Sequence, residues 1–129
     1  MSTQLAVSAR DSARTVAHQQ GLALPLEAII NDLAAVLGRE LLAFIADKEE
    51  RTVRRWIADE STPNPTTAAR LRDVFQVLTL LRSEEGDHTI RAWFMGMNPQ
   101  LDDVAPAEAL AEGRVRDVML AARAFVNGV

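Results

Sequence analysis

Four cations crowd one short stretch of the chain: Lys48, Arg51, Arg54 and Arg55, with Thr52 among them. A guanidinium can donate two parallel hydrogen bonds to guanine, and a threonine can meet a thymine methyl or a phosphate. A lysine neutralises phosphate charge without reading a base. Arg51, Thr52 and Arg55 are therefore candidates for base contacts, and Lys48 and Arg54 for the phosphate backbone. The same inventory is poor in catalytic groups. There are two histidines, His18 and His88, far apart in sequence, no cysteine, and no HExxH-type spacing. Glu49/Glu50, Glu84/Glu85 and Asp102/Asp103 are adjacent pairs, and helical neighbours point about 100° apart, so none forms a dyad through spacing alone. Neither a glycine-rich phosphate loop nor a nucleophile elbow occurs. The residues point to binding rather than catalysis, with no catalytic residue, metal site or cofactor expected.

Helices must position the cations. From Pro25, the residues Leu26, Ile29, Ile30, Leu33 and Leu37 recur at helical spacing until Gly38. A short second helix follows with Leu41, Phe44 and Ile45 inward, and Asp47-Lys48-Glu49-Glu50 reads as a tight turn. A third helix over 51–58 puts Val53, Trp56 and Ile57 on one side, to be anchored on Leu41, Ile45 and Leu71. Arg51 and Arg55 fall on the opposite side. Asn64 can cap a long fourth helix that opens at Pro65 and runs to about residue 83. Asp87 is the expected cap of a fifth, carrying Ile90, Trp93, Phe94 and Met97 and ended by Asn98-Pro99. A short helix runs from Pro106 to Gly113, and a last one uses Val115, Val118, Met119, Ala122, Phe125 and Val126. No useful stretch alternates with a period of two, so the fold class is all-α.

Two short helices joined tightly, the second cationic, make the pattern of a DNA-binding helix-turn-helix. The plainer alternative is an amphipathic helix in a small bundle, its arginines a wet face paired locally with Glu49 and Glu50. Arg54-Arg55-Trp56, then Thr62-Pro63, then Arg70-Leu71 is an order similar to the Xre/Cro-type repressor domain. In that domain a buried aromatic fixes the recognition helix, and the resemblance implies this role for Trp56.

Farther on, Trp93-Phe94, Asn98-Pro99-Gln100-Leu101, Pro106, Leu110, Gly113 and the helix around Val118 follow in order. By residue chemistry alone Trp93 and Phe94 are core, Asn98 closes a turn enforced by Pro99, and Leu101, Leu110 and Val118 pack beneath. The acidic run over 102–112 reads as a solvated loop. Over residues 24–128 the chain resembles the MbcA/ParS/Xre family of antitoxins, whose helix-turn-helix precedes a toxin-binding domain. The resemblance implies as partners operator DNA and a cognate RES-domain toxin that consumes NAD. It also implies toxin contacts at Arg114, Asp117, Arg123, Phe125, Val126, Asn127, Gly128 and Val129; the small and apolar tail residues with their carboxylate add the expectation of an anionic plug for the NAD pocket.

Composition sets the outer bounds. At 129 residues, with 48% apolar and 25% charged residues, the chain has globular rather than disordered composition. The net charge of −4 argues against a general nucleic-acid coat. It averages a nearly neutral middle and a segment over 84–112 that is acidic apart from Arg91. The absence of cysteine, of an apolar run of about 18 residues and of a secretory stretch leads to the expectation of a cytoplasmic protein that does not enter membranes. The expected organisation is a tail over 1–21, frayed or loosely docked, a helix-turn-helix domain over 22–83, and a toxin-binding domain over 84–129. A homodimer or a toxin–antitoxin hetero-oligomer is expected. The alternative is a stand-alone repressor whose C-terminal domain only dimerises; an adaptor without a DNA role ranks behind both.

Overall fold

A computed structural model describes residues 24–128; the expectations for the N-terminal tail, His18 and Val129 lie outside them. Helix α1 (Leu26–Leu37) buries Ile29, Ile30, Leu33 and Leu37 as its spacing predicts, with Val36 beside them, while Leu26 in its first turn is only half-buried. It passes into α2 (Arg39–Ala46) through Gly38 alone, at φ 85° and ψ 154°. Side chains essentially exclude that backbone region, so the abrupt change of direction needs glycine. Helix α2 buries Leu42, Ala43, Ile45 and Ala46. This corrects the expected stripe: Leu41 is half-buried, and Phe44 lies opposite the buried arc, 53% exposed. The arc is wide because α2 packs on α1 and α3 and also on α6, and its small residues Ala43 and Ala46 lie within it.

Asp47 ends α2 in the left-handed conformation, which Asp tolerates, and the amide of Lys48 donates to the Ala43 carbonyl at 2.9 Å. Helix α3 (Glu50–Ile57) then buries Val53 and Trp56, while Ile57, expected inside, is left exposed near its end. Its chief neighbours are α2 and α1, and Leu71, named as an anchor, is fully buried in the same core cluster as Val53 and Trp56. Helix α4 (Pro65–Arg82) begins as expected: the Asn64 Oδ1 accepts from the Thr67 amide at 2.8 Å, and Pro65 takes the first turn. It buries Leu71, Val74, Phe75, Val77, Leu78, Leu80 and Leu81.

Helix α5 (Asp87–Met95) starts from Gly86, not from a capping Asp87. The Asp87 carboxylate accepts instead from Arg82 Nε at 3.4 Å, while the Arg82 guanidinium grips Asp32 of α1 through two bonds of 2.7 and 2.9 Å. Three helices are thereby tied at one end. Gly96 turns extended and stops α5 before Asn98-Pro99, so Met97 has left the helical stripe and is exposed rather than buried. Asn98 does close a turn: its Oδ1 accepts from the Gln100 amide at 2.9 Å, starting a 3-10 turn (Pro99–Leu101) that drives Leu101 into the core.

Helix α6 (Pro106–Ala111) opens at a buried Pro106. Gly113, at φ 84°, leads into α7 (Val115–Asn127), which buries Val118, Ala121, Ala122 and Val126. The buried apolar residues form one cluster from Ile29 to Val126, fed by every one of these helices. Substituting Gly38→Ala should cost about 1–3 kcal/mol, from strain rather than from crowding, because a Cβ there meets only ordinary contact with Arg91. Emptying the fully buried Phe94 site with Phe94→Ala should cost about 3–5 kcal/mol. Urea unfolding midpoints check both, and a Gly38→Ala loss within error of zero would show that the junction relaxes.

Candidate functional surfaces

The cationic surface is built by a helix clamped on its other side. Val53 and Trp56 fix α3, and the rim of Trp56 lines a small cleft with Pro25, Leu26, Thr62 and Pro63. The buried aromatic thus ties α3 to the start of α1 and to the turn before α4. Opposite it, Arg51 and Arg55 stand about 40° apart on the helix wheel, with Arg54 to one side. All three are exposed, as is Lys48. Thr52 is half-buried and lines a cleft of about 580 Å³ with Phe44, Lys48, Glu49 and Ala111.

The local pairing that would neutralise these arginines does not form. Glu50 approaches Arg39 at 4.0 Å instead, both well exposed, and such a contact is worth little. Among the described residues, Lys48, Arg51, Arg54 and Arg55 have no ion pair. Arg54 and Arg55 also occupy the last turn of α3, where positive charge is favourable. A row of unneutralised guanidinium groups on a rigid helix suits a polyanion.

The C-terminal candidates divide between two flanks of α7. On one, Arg114 donates from Nε to Asp117 at 3.1 Å and only approaches the exposed Asp102, at 3.9 Å. Phe125, 39% exposed, lies on this flank with its ring 6.2 Å from Trp93, which meets Phe94 edge-on at 5.2 Å. Trp93 is half-buried, not fully core. Arg123 points to the other flank, with Arg116 and Leu120. Val126 turns into the core, only 8% exposed. Asn127 is half-buried, and Gly128, at φ 70°, closes the helix in the open.

Leu120, Arg116 and Asp73 escaped the sequence reading. Leu120 is 54% exposed, and with Arg116, Arg123, Met119 and Asp73 it lines a cleft of about 440 Å³ between α7 and α4. Burial pushes the Asp73 carboxyl above its usual range. A leucine off the Val118–Ala122–Val126 stripe was the available signal for Leu120; nothing local in the sequence marks Asp73. Among the described residues, no three His, Asp or Glu side chains converge as metal ligands, and no helix is long and apolar enough to cross a membrane.

No protein-family model matches the chain, and no curated protein matches it in sequence. A solved structure does share its architecture. With a TM-score of 0.70 and 24% identity, the chain matches a chain of the crystal structure of the M. tuberculosis MbcT–MbcA toxin–antitoxin complex, over 83% of this chain and 98% of that one. The all-α fold assembled here around one core is that of a chain in a toxin–antitoxin complex.

Proposed function

We propose that this chain is a cytoplasmic type II antitoxin: a binding protein, not an enzyme, that holds a cognate RES-domain, NAD-consuming toxin and represses its own operon through α3. The observation that carries this is the extent of the fold likeness, 98% of the neighbouring chain. A match confined to a helix-turn-helix would fit any repressor; this one extends through the C-terminal helices α5 to α7.

The separate surfaces support a division of labour. Arg51, Thr52 and Arg55 read operator bases while Lys48 and Arg54 hold phosphates. With a net charge of −4, a single copy binds DNA weakly, and useful affinity requires two reading helices on paired half-sites. The toxin is held by the flank where Phe125 leans on Trp93, together with Asn127 and Gly128 at the end of α7. Phe125 and Trp93 supply a desolvated aromatic anchor of the kind that dominates protein interfaces.

Co-expression with the neighbouring open reading frame tests the reading. A growth-arresting neighbour rescued by this chain, and co-purifying with it, is the expected result; a harmless neighbour that forms no complex refutes it. Replacing Arg51 and Arg55 with Ala should cost about 1–3 kcal/mol of operator binding for each lost base contact and leave rescue intact. Removing residues 127–129, which spares the core residue Val126, should weaken rescue while operator binding is unchanged. Gel-shift titration and growth curves separate the two activities, and equal loss of both from the arginine change, with the fold intact, would refute separate surfaces.

A further inference from the structure

Glu50 has no role in the reading above, although it is exposed on α3 beside the arginines. On the helix wheel it lies about 40° from Arg54, with Arg51 on the far side of Arg54. An i, i+4 ion pair with Arg54 is within reach on the same helix, but it does not form. The carboxylate meets Arg39 instead, Oε1 standing 4.0 Å from Nε. Arg39 is the first residue of α2 and Glu50 the first of α3, so this contact joins the starting ends of the two helices. Both side chains are about half exposed, and the pair adds little to stability. Among the described residues, neither has another ion pair or a hydrogen bond.

We propose that Glu50 reads a cytosine in the operator half-site, with Arg39 steadying its carboxylate and binding the adjacent phosphate. The inference rests on α3 being the reading helix, and it names a base which that helix selects. In a helix-turn-helix the first residues of the second helix meet base edges, while the first helix crosses the DNA backbone. A contact that joins the starts of both helices therefore spans from phosphate to base. A carboxylate can only accept hydrogen bonds. In the major groove cytosine offers it the N4 amine. Guanine and thymine offer no donor there, and adenine sets its N7 acceptor beside its own amine. The plainer role for an acid in the first turn of α3 is to favour the helix dipole. That role has no use for Arg39, and on a face opposed to a polyanion a bare carboxylate lowers affinity for every sequence. A cytosine amine offsets that loss. Arg39 carries five N–H donors, enough to face the carboxylate and still donate to a phosphate.

The test is selection of duplexes from a random-sequence library by the full chain, followed by gel-shift titration of single-base variants of the selected site. A fixed C·G pair is expected, at which any other pair weakens binding about tenfold. Glu50→Gln should move the preference there to adenine, because an amide can accept from N6 and donate to N7. Arg39→Ala should lessen the preference for cytosine and reduce the slope of log affinity against log salt by about one. Both positions are exposed, and thermal melts check that the variants fold. A Glu50→Gln chain that binds every sequence more tightly, with unchanged base preferences, leaves the carboxylate as a helix-start acid and overturns the proposal. A selected site that is relaxed by Arg51→Ala and Arg55→Ala, yet has no position dependent on Glu50, overturns it too and leaves α3 as the reading helix. A wild-type chain that selects no duplex overturns the reading of α3 and the proposal with it.

Discussion

Burial of α4 is the constraint on which the rest of the molecule depends. Its inward residues, from Leu71 to Leu81, do not form a single stripe; they spread around the helix, so several partners are needed to keep them from water. Helices α1, α5 and α7 provide that cover, with α2 adding a smaller contact. A helix–turn–helix segment alone would leave the side of α4 that meets α7 wet. In this chain the C-terminal helices complete the cover of α4, and the buried residues from Ile29 to Val126 form one cluster.

Around this core the polar contacts act as registration devices. Arg82 joins α4 to α1 and α5 at one end, and Arg70 reaches the carbonyls of Ile45 and Ala111 at the C-terminal ends of α2 and α6, at 3.5 and 3.4 Å. Those last contacts are long for hydrogen bonds, and their value lies more in placing a cation where helix carbonyls accumulate negative charge. Gly38 and Gly113 permit reversals between helices that leave almost no loop. Short connections keep neighbouring helices adjacent, which limits how the chain can be threaded.

Much of this was legible in the residue pattern. The all-α class, the stripe of α1, the Asn64 cap with Pro65 behind it, the Asn98 turn and the exposed arginines of α3 follow from local chemistry, and the structure has each. Failures came where tertiary contact overrides a local rule. Phe44 looked like core because it is large and apolar, yet a short helix packed on both sides places Ala43 and Ala46 in its buried arc and turns the phenyl out. Met97 looked like core by counting, but Gly96 had already ended α5. Asp87 is a good cap by type, yet an arginine from another helix takes its carboxylate. The site was harder to see than the fold. Periodicity separates inside from outside, but it cannot show that Val126 faces in while Phe125 leans on Trp93, or that Arg123 and Phe125 belong to opposite flanks.

One shared core has a thermodynamic consequence for two separate faces. Residues of α3 and α7 belong to the same buried cluster, so opening one end exposes apolar surface at the other, and the two surfaces unfold together if the core melts cooperatively. Anything that binds only the folded chain then stabilises both surfaces, by an amount that grows with the logarithm of ligand concentration over its dissociation constant. Occupancy of the α7 flank raises the fraction of chains with an intact α3, even though no side chain need move between them. Coupling of this kind requires no pathway across the molecule. It requires only that neither surface has a core of its own, and the burial of α4 ensures that.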